Sequence, residues 1–168
     1  MPCKGGYRDR IEAGKRRREE KKRYEQSAER KFWLSLCERV HASSNGFSDL
    51  APAEKTYYAI GCLMGEVYNG GFHQYFFNHS GAMYGAALSG LFELEAARTA
   101  VLLQRAKELL FGDQPVPTEV AERRRLLRLQ DTSPPGLDDL DKAFWKNDEK
   151  LDERCTSFAA EHQLYGDA

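Results

Sequence analysis

Glu66-Val67-Tyr68-Asn69-Gly70-Gly71-Phe72-His73-Gln74-Tyr75-Phe76-Phe77-Asn78 is the stretch that decides how the chain folds. Before it, Tyr57, Tyr58, Ile60, Leu63, Met64 and Val67 recur at helical spacing, and Asn69-Gly70-Gly71 reads as the C-cap of that helix. Paired glycines permit positive φ and a sharp reversal. Phe72 and Phe76, with Tyr75, then fill the space between the helices that the reversal joins. Asn69, Gln74 and Asn78 bring amides able to bond backbone groups freed at the corner. In a second account the amides of Asn69, Gln74 and Asn78 and the Tyr75 hydroxyl line a polar pocket for a small ligand or a peptide. The accounts differ in whether solvent reaches the amides, because a buried amide without a partner is costly.

Outward from this stretch the chain reads as helices. The helix leading into it starts after Ser48-Asp49, either of which can cap it, with Pro52 and Glu54 in its first turn. Gly61 and Gly65 are four apart on one side, a spacing that lets another helix approach and leaves room for a homodimer. Beyond the motif come a small-residue helix over Met83–Phe92 and an amphipathic one over Glu95–Phe111, stopped by Gly112 to Pro117. A third helix is capped by Thr118. After a turn over Asp131–Gly136, one or two helices run from Leu137 to His162, with Leu140, Phe144, Trp145, Leu151, Cys155, Phe158 and Ala159 inward. No segment alternates with period two, so the expected fold class is all-α, a compact multi-helix bundle.

The 168 residues bound this further. Lys and Arg number 25 and Asp and Glu 26, but residues 1–31 carry 12 against 6, and residues 131–168 carry 4 against 10. A charged helical arm over residues 1–31 therefore precedes a domain over 32–163 and a tail over 164–168. The arm is expected to run as one helix into Phe32 and on to His41. Its cluster Lys15-Arg16-Arg17-Arg18 and Lys21-Lys22-Arg23, diluted by Glu19, Glu20, Glu25 and Glu29, reads first as a solvated charged helix face; the alternatives are weak nucleic-acid contact through residues 15–23 or docking on an acidic protein surface. No apolar run is long enough for a membrane span, and the charged N-terminus lacks the apolar core of a secretory signal. With Cys3, Cys37, Cys62 and Cys155 forming no C-x-x-C pair, a reduced cytoplasmic setting is expected.

No nucleophile–base pair, phosphate loop, cofactor fingerprint or metal spacing is readable. His73 and His79 are six apart, which fits a helical zinc site poorly. No catalytic residue, metal or cofactor is therefore assigned.

The segment Asn69 to Asn78 resembles the Asn-Gly-Gly-Phe-x-Gln-aromatic-Phe-x-Asn signature of the DNA-mimic protein family, whose members are mostly bacterial. Glu66, Ser80-Gly81 and the run Leu137-Asp138-Asp139-Leu140-Asp141-Lys142-Ala143-Phe144 add to the resemblance, which spans about Phe32 to His162. It implies an all-α fold and a non-enzymatic interaction protein whose carboxylates stand in for DNA phosphates before a DNA-binding regulator. The candidates for that acidic face are Asp138, Asp139, Asp141, Asp148, Glu149 and Asp152. In a continuous helix Asp138, Asp141, Asp148 and Asp152 would share one side. The motif-pocket candidates are Asn69, Gly70, Gly71, Phe72, Gln74, Tyr75 and Asn78.

Overall fold

The computed structural model describes residues 5–130 and 133–166, with side chains from residue 9 onward. Cys3, the Asp131-Thr132 part of the expected turn and the end of the tail lie outside the described residues. Those described form eight α-helices and one 3-10 turn, with no strand among them. The chain is all-α. It divides into one compact unit over Met1–Asp49 and Gln163–Ala168 and a second over Leu50–His162. The larger unit thus begins at Leu50.

In the first unit the expected single helix is two: α1, Gly5–Gln26, and α2, Ala28–Ala42. Ser27 breaks them. Its backbone is extended, its Oγ accepts from Arg30 N at 3.1 Å and donates to the Tyr24 carbonyl at 2.7 Å, so it caps α2. Leu36 is fully buried, whereas the described side chains of α1, from Asp9 on, are almost wholly exposed. A helix with so few apolar residues has no stripe to bury.

The second unit is built around α3, Pro52–Phe77, which packs against α4 (Tyr84–Glu93), α5 (Ala97–Phe111), α6 (Val120–Arg128), α7 (Leu137–Lys146) and α8 (Leu151–Glu161). Its cap is Ala51, not Ser48 or Asp49. Proline at the first helical position holds the preceding residue extended, and the Glu54 carboxylate accepts from Ala51 N at 2.9 Å. Ile60, Leu63 and Val67 are completely buried on the inward stripe. Gly90 gives α4 its close seat, since a Cβ there would lie 3.1 Å from Thr56 Cγ2 and 3.3 Å from Ile60 Cδ1. Gly65, expected to admit a helix, has nothing within 4 Å of its Cβ position. Likewise α6 is capped at Glu119 and not at Thr118, whose carbonyl is occupied by an arginine described below.

Near its end α3 is kinked rather than reversed. Gly70 and Gly71 leave the helical region, Gly71 at φ 77°, ψ −178°, and the helix resumes at Phe72. That combination is essentially confined to glycine. Phe72 and Phe76 are fully buried, as expected of the aromatics that follow the glycines. The 3-10 turn His79–Met83 then leads into α4.

The C-terminal acidic stretch, expected as one or two helices, is two. Asn147 and Lys150 both take left-handed backbone, which ends α7 and starts α8. Asn147 serves both ends. Its Oδ1 accepts from Leu151 N at 2.7 Å, and its Nδ2 donates to Asp152 Oδ1 at 2.6 Å. Asparagine is one of the few residues that enters this backbone region readily. The break removes the continuous helix on which Asp138, Asp141, Asp148 and Asp152 would share a side. Trp145, expected inward, is 49% exposed because Phe144 takes the inward place on α7.

Candidate functional site

Three charged side chains fasten the corner made by the Asn-Gly-Gly-Phe segment. Glu66 stands one turn before the kink. Its carboxylate accepts from Gln74 Nε2 at 2.7 Å, Asn78 Nδ2 at 2.9 Å and Ser80 Oγ at 3.3 Å. The Gln74 and Asn78 amides therefore have a carboxylate partner inside the protein. Asn69, by contrast, is exposed.

Asp141 approaches from α7. Its Oδ1 accepts from Phe72 N at 2.8 Å, so it caps the resumed part of α3 from a different helix. A Cβ on Gly71 would lie 2.7 Å from Asp141 Cγ, so the glycine admits the carboxylate as well as the kink. Burial pushes the Asp141 carboxyl above its ordinary value. The Phe72 bond and His73 pull against that shift, and Asp138 adds to it.

Arg123 holds the far end of α3. It is fully buried, and its guanidinium donates to the carbonyls of Phe76 (3.0 Å), Pro117 (2.8 Å), Thr118 (2.7 Å) and Asn78 (2.8 Å). The last carbonyls of a helix lack internal partners and carry partial negative charge, which suits a cation. Burial pulls the guanidinium's pKa below its ordinary value. Beside it, Arg124 donates to Phe77 O at 3.0 Å and lies 4.8 Å above the Phe77 ring.

Tyr75 is completely enclosed. Its hydroxyl has no hydrogen-bond partner among the described residues, and burial drives its pKa far above the ordinary value. An open cleft of about 370 Å3 reaches the corner at Gly70 and His73, and Tyr75 is not in its lining. Gly70, His73, Leu127, Gln130, Ser133, Leu137, Asp138 and Asp141 line it. The pocket candidates are thus divided: Gly70 borders the cleft, Gln74 and Asn78 bind Glu66, and Gly71, Phe72 and Tyr75 are interior.

The acidic candidates divide too. Asp138, Asp139, Asp148 and Asp152 are exposed. Asp139 lies 3.7 Å from Lys142 Nζ. Asp141 is the cap just described. Glu149 caps α5: it accepts from Arg98 N at 3.1 Å, and from Thr99 N at 2.7 Å and Thr99 Oγ1 at 2.8 Å. Burial pushes the Glu149 carboxyl up, but the Thr99 and Arg98 bonds and Arg154 outweigh it and hold the pKa below its ordinary value. A second groove, of about 460 Å3, lies between the turn after α4 and α8, with Glu93, Glu95, Glu153 and Glu161 in its lining. No group of three or more His, Cys, Asp or Glu among the described residues could hold a metal ion.

A family model, DMP19-like protein, matches residues 48–162. The chain belongs to that family. The match covers the helical unit that begins at Leu50 and leaves out α1 and α2, so the resemblance starts later than Phe32. Searches of curated proteins and of solved structures return no match. Within the family match lie Glu66, Asp141 and Arg123, the three residues that fasten the corner. Sequence reasoning quoted Glu66 without giving it a role and missed Arg123. The signal for Arg123 was its position four before Leu127, which is buried on the inward stripe of α6.

Proposed function

We propose that this protein is a non-enzymatic interaction module whose acidic face engages the cationic surface of a DNA-binding regulator, as a DNA mimic does. The reading is carried by the charge of the unit that matches the family. Residues 50–162 hold 17 Asp and Glu against 12 Lys and Arg, a net of −5. One of those cations, Arg123, is withdrawn into the interior. Asp138 and Asp139 on α7, Asp148 in the break and Asp152 on α8 are the exposed aspartates among the described residues of the C-terminal stretch, with Glu153 and Glu161 also exposed. Rows of exposed carboxylates steer a basic partner and fix its register. Among the described residues no helix is long and apolar enough to cross a membrane.

The test is a pull-down from source-cell lysate with nuclease added, run beside the full chain carrying Asp138→Asn, Asp139→Asn, Asp148→Asn and Asp152→Asn. Asp141 and Glu149 are left intact because they cap helices. Enrichment of a DNA-binding protein by the wild type alone is the expected result. Equal enrichment by both removes this face from the account.

The cleft beside the motif supports a second reading, a site for a small ligand or peptide. Its groups are Gly70, His73, Asp138 and Asp141 rather than Gln74, Tyr75 and Asn78, whose polar groups are engaged or enclosed. Ligand-dependent shifts of the His73 ring signals in an NMR screen would support it, and a screen that leaves those signals in place would remove it.

A further inference from the structure

Two large aromatic side chains near the kink, Tyr68 and Trp145, are half exposed. Tyr68 on α3 is 43% exposed and Trp145 on α7 is 49% exposed. Both are nonetheless fixed to the core. The Trp145 indole donates from Nε1 to Val67 O at 2.8 Å, beside Tyr68. The Tyr68 ring stands edge-on to Phe144 at 5.4 Å, and Phe144 is buried and edge-on to Phe72 at 5.5 Å. Rings held in place before contact lose little freedom on binding, and Trp and Tyr are enriched among the residues that dominate interface energies.

Asp152 is the carboxylate tied to this region: it is exposed at the start of α8 and accepts from Asn147 Nδ2. Burial, then Asp152 and Cys155, push the Tyr68 hydroxyl above its ordinary value, so Asp152 lies within electrical reach of that ring. Of the cations on the same turn, Lys150 is paired with Glu153 at 3.0 Å and Lys146 is exposed.

We propose that Tyr68 and Trp145, with Asp152 within electrical reach of Tyr68, form the anchor that receives an arginine-bearing helix of a DNA-binding protein. The inference rests on the interaction reading above and names the chemistry of its contact. A guanidinium is planar and weakly hydrated, so it stacks on an aromatic face while a neighbouring carboxylate takes its N–H groups. An ammonium does this less well. The net −5 of the unit draws such a helix in, and the aromatic pair selects arginine over lysine.

The test uses the full-length 15N-labelled protein and a 15-residue amidated peptide with four arginines on one helical face. Two control peptides replace arginine by lysine or by citrulline. The chain has two tryptophans, so two indole signals report, assigned with Trp33→Phe. The arginine peptide is expected to shift the Trp145 signal and leave that of Trp33. Affinity is expected to fall about tenfold in Tyr68→Ala and in Trp145→Ala, and several-fold with the lysine peptide. The neutral citrulline peptide is expected not to bind. Trp145→Phe keeps an aromatic face while losing the bond to Val67 and part of the ring area, so it is expected to bind more tightly than Trp145→Ala, separating the anchor from local folding.

Equal arginine-peptide affinity for wild type, Tyr68→Ala and Trp145→Ala overturns the proposal. If the four-aspartate variant has then lost binding, the acidic face stands without its aromatic anchor. If it too binds unchanged, both readings fall. Failure of the arginine peptide to bind the wild type also overturns the anchor, leaving the pull-down to judge the acidic face. Tighter binding of a peptide spanning residues 9–26 of this chain overturns it as well, by giving the patch to a second copy.

Discussion

Replacing Gly71 by alanine is expected to destabilise the fold by about 3 kcal/mol, from two causes that can be separated. The backbone at φ 77°, ψ −178° costs a residue with a Cβ about 1–3 kcal/mol. The new Cβ would also sit 2.7 Å from Asp141 Cγ and 2.9 Å from Oδ1, too close to tolerate. Asp141 must then withdraw and give up the 2.8 Å bond from Phe72 N, a trans-helix cap worth about 1 kcal/mol. Asp141→Ala removes that cap alone, at about 1–2 kcal/mol. In the double variant the crowding is gone and the cap is lost only once. The two effects are therefore expected to fall short of additivity by about 1 kcal/mol. Urea unfolding followed by circular dichroism measures this. With a slope of about 2 kcal/mol/M, the Gly71→Ala midpoint falls by roughly 1.5 M. A loss under about 1 kcal/mol for Gly71→Ala, or strict additivity with Asp141→Ala, would refute the reasoning.

Four further outcomes are expected. Asp141→Asn keeps an oxygen for Phe72 N but removes a half-buried charge. Because the folded-state pKa of Asp141 is raised, the folded protein holds that proton more tightly than the unfolded chain. Wild-type stability relative to the asparagine variant is thus expected to fall as pH rises from 3.8 through the raised value, read by urea midpoints across that range. Glu149→Gln is expected to lose about 1 kcal/mol at neutral pH. The folded-state pKa of Glu149 is lowered, so the wild-type advantage is full above 4.5 and vanishes as pH falls through the lowered value. Arg123→Met removes a buried cation and its bonds to the carbonyls of Phe76, Pro117, Thr118 and Asn78, and is expected to cost about 3–5 kcal/mol, seen as a large drop in melting temperature. Removal of residues 1–26 is expected to leave the unfolding of the 50–162 unit unchanged and to abolish any salt-sensitive affinity for nucleic acid in a mobility-shift titration.

The helices were legible because burial imposes periodicity: Ile60, Leu63 and Val67 could be placed inward from spacing alone. The kink was legible as Asn-Gly-Gly, but not its form. A C-cap and a brief interruption use the same glycines, and what resumes the helix at Phe72 is a carboxylate 69 residues away. Arg123 stood in a run of three arginines, and its partners at Phe76 and Asn78 are 47 and 45 residues distant. The acidic face was misread in part because counting offsets assumes an unbroken helix, and Asn147 breaks it. Asp141 and Glu149 then proved to be caps, a role that a helix N-terminus gives to whichever carboxylate the fold brings near. Trp145 looked interior by composition, yet its neighbour Phe144 had the inward position.

The most direct test of the account is competition with DNA. The regulator captured in the pull-down is bound to its own DNA at physiological salt and titrated with this protein, and separately with the four-aspartate variant, in a mobility-shift assay. The account predicts that the wild type releases the DNA and that the neutralised variant does not. A complex containing the regulator, DNA and this protein together, or equal release by both forms, would contradict it.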